Sequence, residues 1–243
     1  MVLQAVEQYQ NALHELSERA VSTWDSIVDH RMRGITLGVQ AYHERIGQYS
    51  GNWNLVPLGN LLTTTQYGLS DSLSNSGCYP VLRMMNLKDG KATADDLKYL
   101  NLLDSDFETY KLIPGDVLFN RTNSYELVGR AGVYDLPGNH VFASYLIRLK
   151  VKTDRLLPEY LCAYLRAPIG RRQVMSFVTR GVSQANINAS NLKRILIPVP
   201  PFSYQEDVVK LINAVSDARR KTKARLKSAG SFARKVIAEG LAS

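Results

Sequence analysis

The N-terminal residues place an apolar side chain at every third or fourth position, which is the spacing of one face of an α-helix. This stripe consists of Val6, Tyr9, Leu13, Leu16, Ala20, Thr23 and Ile27. Gly34 and Gly38 weaken the helical pattern, and residues 47–54 are typical of a linker. The pattern therefore predicts an N-terminal helical segment over residues 1–50.

The C-terminal residues, 202–243, show one long helical pattern after Pro200 and Pro201. Ser203, with Glu206 three residues later, predicts a capping box at the start of this helix. The inner stripe keeps a near-heptad spacing and consists of Val208, Ile212, Val215, Ala218, Thr222, Leu226, Ala229, Ala233 and Val236. A helix of about 37 residues would be ~55 Å long. Because alanines make the stripe thin, we expect a partner helix, and the N-terminal segment is the nearest candidate for an antiparallel coiled coil.

The middle of the chain, residues 51–201, alternates short β-like runs with helical segments. The predicted helices are Glu159–Arg166, with Pro158 in the first helical position, and Ile169–Val178. The predicted strands are Tyr79–Met85, Val117–Phe119, Glu126–Tyr134, Val141–Val151 and Lys193–Val199. The predicted fold class is therefore α+β, with one mixed α/β domain between two helical segments.

Composition narrows the class of protein further. The 243 residues are 45% hydrophobic and 21% charged, which are ordinary globular values, and the formal net charge is +8. A basic balance favours a polyanionic partner. Two cysteines give neither a disulfide framework nor metal-ligand spacing, and no apolar run is long enough to cross a membrane. We expect a cytoplasmic protein with free thiols and no signal peptide.

Three stretches of the chain carry a family resemblance. They are Tyr79 to Leu87, with the sequence YPVLRMMNL; Pro114 to Arg130, which begins PGDVLFNRTNS; and Gly181 to Asn188 followed by the IPVPP run that ends at Pro201 and by Gln205. In this order and spacing they resemble the DNA specificity (S) subunits of type I restriction-modification systems. The resemblance covers about residues 54–240.

The resemblance implies a target recognition domain followed by a conserved-region helix. Such subunits usually carry two recognition domains separated by two antiparallel helices, whereas this chain has room for one, so it resembles a half-length form. The implied partners are double-stranded DNA, a methyltransferase (M) subunit and, through the complex, a restriction (R) subunit. We expect a homodimer of half-subunits; a monomer that pairs its own two helices stays open. No cofactor is implied.

The residues give little support for catalysis by this chain. Pro200, Pro201 and Phe202 follow Val199, which lacks the polar group that an adenine methyltransferase places before this motif. A nuclease needs clustered carboxylates that hold a metal, and solvated loop acids explain Asp104, Asp106, Glu108 and Asp116 better. The histidines are scattered, at His14, His30, His43 and His140, and form no metal pair. We therefore expect a non-catalytic subunit.

The strongest candidate for DNA contact is a run of seven hydrogen-bonding side chains at residues 120–126. Arginine matches the guanine edge, asparagine the adenine edge, and glutamate can accept from cytosine. The alternative is a polar hairpin tip with local side-chain caps, which also stays open. The candidates in this run are Asn120, Arg121, Thr122, Asn123, Ser124 and Tyr125.

Other candidates are more isolated. Arg83 and Asn86 end an apolar run, where Arg83 contacts DNA or pairs with an acid of the same domain, and Arg130 ends the second family stretch. The amide-rich loop faces DNA, faces a partner or is structural; its candidates are Arg180, Ser183, Gln184 and Asn186. Phosphate contact and a solvated surface both stay open for Arg171 and Arg172, and for the cluster of Arg219, Arg220, Lys221, Lys223, Arg225 and Lys227.

The sequence-based hypothesis is sequence-specific recognition of double-stranded DNA as a non-catalytic specificity subunit. Two rival functions stay open. One is a small DNA methyltransferase or nuclease whose site has no recognisable motif, and the other is a helical scaffold that reads no bases.

Overall fold

The computed structural model describes residues 53–181, 184–210, 213–214 and 217. Residues 53–209 lie within one compact unit. The N-terminal helical segment, Ser183 and almost all of the C-terminal stripe lie outside the described residues, as does the predicted coiled coil. The domain limits 1–50, 51–201 and 202–243 stay a prediction.

The described part of the chain is a mixture of short strands and helices, as predicted. Its helices are α1 (Asp104–Tyr110), α2 (Pro158–Arg166), α3 (Pro168–Ser176), α4 (Ala189–Leu192) and α5, described over 202–210. Its strands are β1 (Asn54–Pro57), β2 (Leu62–Tyr67), β3 (Tyr79–Leu82), β4 (Leu87–Lys88), β5 (Lys91–Ala92), β6 (Lys98–Leu100), β7 (Val117–Asn120), β8 (Thr122–Asn123), β9 (Ala131–Val133), β10 (Val141–Phe142), β11 (Leu146–Val151), β12 (Thr179–Arg180), β13 (Ala185–Asn186) and β14 (Leu196–Val199).

The largest sheet has six strands in the order β2-β11-β7-β9-β5-β4. Its pairs are antiparallel except β9 with β5. All four residues of β7 are buried, and so are five of the six in β11, which explains why the sequence shows continuous apolar runs there rather than alternation. Leu118 and Leu146 contribute to a core cluster that continues through Tyr134 and Phe142.

A second sheet of three strands, β10-β3-β6, joins a parallel and an antiparallel pair. Val81 and Val141 form the centre of its apolar cluster. Tyr79 stacks on Phe107 of α1, with ring centroids 4.2 Å apart. This ring contact packs α1 against the sheet.

The helices α2 and α3 pack beside the two-stranded sheet of β1 and β14 through buried polar groups. The hydroxyl of Tyr160 donates to the carbonyl of Pro198 at 3.2 Å. The side-chain amide of Gln173 donates to the Leu196 carbonyl at 3.1 Å and accepts from the Leu196 amide at 3.0 Å. A polar network thus ties both predicted helices to the closing strand.

The start of α5 is fixed by Gln205, whose side chain is fully buried. Its Oε1 accepts from the Leu157 amide at 2.9 Å, and its Nε2 donates to the carbonyls of Arg155 and Pro200 at 3.1 and 2.9 Å. The prediction of Ser203 as the N-cap is wrong, because α5 already includes residue 202.

Several predicted strands are shorter than expected. The strand that begins at Tyr79 ends at Leu82, because Asn86 folds back to accept from the Arg83 amide at 2.9 Å. Of the predicted run Glu126–Tyr134, only Ala131–Val133 forms a strand, because residues 125–129 form a turn. The run Val141–Val151 divides into β10 and β11.

Both cysteines are free thiols, as expected, with Cys78 exposed and Cys162 buried. Burial raises the pKa of the Cys162 thiol far above its usual value. Among the described helices, none has the length and apolar character that a membrane crossing requires.

Candidate nucleic-acid interface

Two polar segments that are distant in the sequence meet in one small sheet of three strands, β12-β13-β8. Thr122 and Asn123 of β8 pair with Asn186 and Ala185 of β13, and β13 pairs in turn with β12. The Asn186 side-chain amide donates to the Thr122 hydroxyl at 3.0 Å across 64 positions of sequence. The run at 120–126 therefore meets residues 179–181 and 184–188 at one small sheet, which we call the recognition sheet.

Arg121 lies between these two segments. Its backbone carbonyl accepts from the Ile187 amide at 2.9 Å. Its guanidinium makes two long hydrogen bonds, each of 3.4 Å, to the Ser144 carbonyl and to Oδ1 of Asn186. The guanidinium carbon also lies 5.0 Å from the ring centroid of Tyr67, within cation–π range. The buried Nε of Arg121 has no hydrogen-bond partner among the described residues.

The edge of the recognition sheet carries a second stacked pair. The guanidinium of Arg180 lies 3.7 Å from the ring centroid of Tyr125. Tyr125 is 39% exposed and Arg180 is exposed as well, so this pair presents a flat, positively charged surface to solvent. An arginine stacked on an aromatic ring matches both the negative charge and the planar bases of nucleic acid.

The remaining residues of the 120–126 run serve the turn or border the sheet. The Oδ1 atom of Asn123 accepts from the Ser124 amide at 2.8 Å. This atom therefore caps the turn locally, as in the alternative of a polar hairpin tip. Thr122 is buried, with its hydroxyl engaged by Asn186. A hydrogen bond from its own backbone amide and another from the Ser124 side chain lower the pKa of Glu126, which stays an ionised acceptor.

Two residues that the sequence predicted to contact DNA are buried in the structure. Asn86 and Asn120 are fully buried, so neither side chain presents a surface to a duplex. The side-chain amide of Asn86 donates to the Asp95 carbonyl at 2.6 Å. That of Asn120 donates weakly to the Leu127 carbonyl at 3.4 Å, while its Oδ1 lacks a partner among the described residues. Both asparagines shape turns from inside the domain.

Arg83 follows the alternative that the sequence left open, because it pairs with an acid of the same domain. Its Nη2 lies 3.0 Å from Oδ2 of Asp96 and also contacts the Asp96 backbone carbonyl. The Arg83 side chain is only 20% exposed. The structure thus supports an internal role for Arg83 rather than a base contact.

The other candidates divide between the recognition sheet and a separate cavity. Gln184 is exposed beside β13, and its carbonyl accepts from the Gly181 amide at 2.7 Å. Arg130 is exposed and lines a cavity of about 520 Å³ together with Lys88, Arg166 and Arg171. Glu126 and Gly129 of the 124–129 turn also line this cavity.

Two tyrosines of this surface were missed by sequence reasoning. Tyr67 is 42% exposed and its ring lies below Arg121, while Tyr145 is 45% exposed and its carbonyl accepts from the Arg121 amide at 2.9 Å. Tyr67 follows a run of three threonines and a glutamine, and Tyr145 follows Ser144 directly before an apolar strand. Exposed aromatic residues at strand ends were the only signal, and 13 tyrosines in the chain made that signal weak.

The acidic residues weighed for nuclease chemistry do not gather into a site. Asp104 and Asp106 lie in the first turn of α1. Asp116 is buried, where Arg148 lies 3.6 Å away, and desolvation raises the Asp116 pKa despite that cation. Within the described part of the chain, no group of three or more histidine, cysteine, aspartate or glutamate side chains is arranged to hold a metal ion.

An α+β domain that gathers arginine, amide and aromatic side chains on one small sheet is typical of the nucleic-acid-binding class of proteins. Comparison with known proteins specifies the class. The family model described as the type I restriction modification DNA specificity domain matches residues 51–228. This chain belongs to that family.

Relatives of the chain include a putative type I restriction enzyme MjaX specificity subunit from Methanocaldococcus jannaschii, 28% identical over 172 residues, which are 69% of this chain and 40% of the relative. The type I restriction enzyme EcoKI specificity subunit from Escherichia coli K12 is 30% identical over 157 residues, covering 63% of this chain and 34% of the relative. The crystal structure of the HsdS subunit from Thermoanaerobacter tengcongensis shares the fold, with a TM-score of 0.56 at 16% identity over 98% of this chain and 56% of that chain. The chain thus spans well under half the length of these two curated relatives.

Proposed function

We propose that this chain recognises a specific double-stranded DNA sequence through its recognition sheet, as the specificity component of a type I restriction-modification complex. The observation that carries the proposal is the meeting of the 120–126 and 180–188 segments around Arg121. Membership in a family of DNA specificity domains supports the same function.

The chemistry of Arg121 supports base contact. Its two hydrogen bonds inside the domain are long, at 3.4 Å each. Because hydrogen bonds of this length are weak, a ligand that offers two acceptors side by side to the two terminal nitrogens would improve the local hydrogen bonding. The major-groove edge of guanine offers such a pair, and arginine bound to it is the commonest specific contact with DNA.

Membership in the family supports the rest of the proposed function. The chain is non-catalytic and needs no cofactor, and it places a partner methyltransferase subunit, and through the complex a restriction subunit, on the target. Base flipping and methyl transfer belong to those partners. The antiparallel pairing of the conserved-region helices and a cytoplasmic location are part of the same proposal.

The direct test is selection of duplexes by the full chain from a randomised pool, followed by binding measurements at raised salt. We expect one enriched sequence, bound far better than a scrambled duplex of the same composition. Contact with phosphates alone would lose affinity steeply with salt and show no preference between the two duplexes. That result would favour a scaffold that reads no bases.

A second test addresses catalysis by the chain itself. The purified chain, free of other subunits, is incubated with S-adenosylmethionine and the selected duplex, or with Mg²⁺ and the same duplex. We expect neither methyl incorporation nor cleavage. Turnover by this preparation would instead favour the enzyme hypothesis.

A further inference from the structure

Arg171 of α3 contacts the turn that follows the recognition sheet. Its guanidinium donates to three backbone carbonyls of residues 124–129: those of Tyr125 at 2.8 Å, Glu126 at 3.3 Å and Val128. Burial lowers the pKa of Arg171, although it stays charged. A side chain that donates three hydrogen bonds into its own domain has few donors left for a DNA phosphate.

The same turn packs tightly against α3 at Gly129. This glycine has a φ of +84°, which other residues rarely adopt. A Cβ at this position would lie 2.6 Å from Cγ1 of Val174 and 2.8 Å from Nη1 of Arg171. The turn therefore rests directly on the helix, and its position depends on the Arg171 guanidinium.

The part of the turn that Arg171 holds also carries Tyr125, whose ring stacks on Arg180 at the edge of the recognition sheet. The Tyr125 carbonyl accepts from Arg171, and the turn around it is closed by bonds from the Leu127 and Val128 amides to the Ser124 carbonyl. Without Arg171, three carbonyls of a half-buried turn would lose their donor, and the turn would rearrange to reach water. The Tyr125 ring would then lose its fixed place beside Arg180.

We infer that Arg171 is a positioning residue for DNA specificity: it holds the 124–129 turn so that the Tyr125–Arg180 pair faces the target. This inference rests on the proposed function. It replaces the phosphate contact that the sequence left open for Arg171. Specificity is affected because the pair reads its target only from a fixed position.

The test compares Arg171→Ala, Arg171→Lys and the matched control Arg172→Ala, which removes the next, exposed arginine of the same helix. Affinity of the full chain is measured for the selected duplex and for its scrambled counterpart over a range of salt. For Arg171→Ala we expect about tenfold weaker binding to the selected duplex, within the span of one specific contact. Binding to the scrambled duplex and its salt slope should stay unchanged.

The lysine variant separates positioning from phosphate contact. Lysine is a point charge and would replace arginine at a phosphate, but it lacks the planar fork that reaches several carbonyls at once. We expect Arg171→Lys to lose specific binding like the alanine variant, and Arg172→Ala to keep the ratio of specific to non-specific affinity. Equal losses on both duplexes, with a salt slope reduced by about 0.9 and rescue by lysine, would overturn the inference.

A measurement without DNA distinguishes failure of this inference from failure of the proposed function. The amides of Leu127 and Val128 donate to the Ser124 carbonyl. Their hydrogen exchange should accelerate in Arg171→Ala and not in Arg172→Ala, while the amide of Ile147 in β11 stays as protected as in the unmodified chain. Unchanged exchange in the turn would overturn the positioning role. A lack of sequence preference in the unmodified chain would overturn the proposed function instead.

Discussion

Arg121 is held at the recognition sheet by contacts that are easily exchanged. Both of its side-chain hydrogen bonds are 3.4 Å long, and its aromatic contact with Tyr67 orients the guanidinium without using its donors. Two residues later, the side-chain oxygen of Asn123 accepts from the Ser124 amide within the turn. The side-chain NH2 group of Asn123 can still donate to another partner. These two side chains are therefore the ones that we expect to read bases.

We predict that Arg121→Ala weakens binding to the selected duplex by ~1–3 kcal/mol, the discrimination of a good bidentate base contact. Asn123→Ala should weaken the same binding by less, because the Asn123 oxygen already accepts from the Ser124 amide. Binding to a scrambled duplex should change much less. Both are measured at fixed salt, with Arg155→Ala as the control because Arg155 is exposed and follows the end of β11 opposite Tyr145. An equal loss on both duplexes would indicate phosphate contact or damaged folding.

His140 makes the stability of the domain depend on pH. It is 95% buried, its Nδ1 lies 3.0 Å from the Tyr134 hydroxyl, and burial lowers its pKa below the usual value. Below about pH 6.5 the unfolded chain therefore binds a proton more readily than the folded one. The stability contributed by neutral His140 is present above that pH and is lost as the pH falls toward the folded pKa.

We predict that His140→Gln reduces the loss of stability between about pH 7 and pH 5, since glutamine does not titrate. The measurement is urea unfolding of both proteins across that range. The free energy of unfolding of the variant should fall less steeply with acidification. Parallel curves for the two proteins would show that other groups cause the pH dependence.

At this scale the sequence could not separate exposed candidate residues from buried ones. Arg83 and Arg121 both follow apolar runs, yet Arg83 pairs with Asp96, whereas Arg121 lies between β7 and β8 and its guanidinium contacts Asn186. Asn86 and Asn123 both end a strand-like run, yet only Asn86 is fully buried. Burial depends on contacts between distant segments, and these are not encoded in the local pattern.

At the scale of elements, Arg148 joins β11 to the end of α1. Its guanidinium donates to the carbonyls of Thr109 and Lys111 at 3.0 and 2.6 Å and contacts the side-chain carbonyl of Gln66. It also lies 3.6 Å from Asp116, and both side chains are less than 10% exposed. The carbonyls at the end of a helix have no partner within it. At the end of α1, the Arg148 side chain from β11 provides the donors for them.

We predict that Arg148→Met lowers the free energy of unfolding by about 3–5 kcal/mol, because it leaves the Asp116 carboxylate buried without a cation. The double variant with Asp116→Asn should be less destabilised than the single one. Lys111→Ala is the matched control, since the Lys111–Glu108 pair is exposed at the same helix end and should cost less than about 1 kcal/mol. Urea unfolding measures all three, and a double variant as unstable as Arg148→Met would contradict the role of the ion pair.

The two helices that begin with a proline were predictable from the sequence. A strand and a helix built mainly from polar residues were not. Pro158 marks the start of α2, and the predicted segment that begins at Ile169 lies one residue inside α3. The strand β2 was missed because three consecutive threonines resemble a loop, although they pair with β11 in the structure. The acids of α1 were assigned to a loop, whereas acidic residues in a first turn also favour a helix start.

At the scale of the whole molecule, the single recognition domain that we propose would contact only a few base pairs. The chain spans 40% and 34% of the two curated relatives reported above. Two copies related by a two-fold axis would provide two recognition domains and would use the same patch on each subunit. Each copy would then meet the same half-sequence.

We predict a homodimer in the complex with the methyltransferase subunit and a target that is a split palindrome with an unread gap. The gap should follow the length of the C-terminal helix, because a full turn of DNA spans ~34–36 Å and the predicted helix is at least as long. Light scattering of the free chain and of the complex measures the copy number, and the selected duplexes show the symmetry. Deleting two heptads from residues 204–240 should change the gap.

The competing arrangement is a single copy whose own N-terminal and C-terminal segments pair. It predicts one copy of the chain per DNA complex and a target without two-fold symmetry. Either observation would reject the homodimer. An unchanged gap after the deletion would show that this helix does not set the spacing.

The pairing of β8 with β13 has a consequence for exchanging specificities between relatives. Thr122 and Asn186 come from segments that are far apart in the sequence yet share a hydrogen bond. Grafting either segment alone into another family member would leave its new neighbour with a mismatched partner. Under the proposed function, the smallest unit that can transfer specificity is therefore the two segments together, and a library that diversifies them jointly should contain functional chimaeras that single-segment libraries lack.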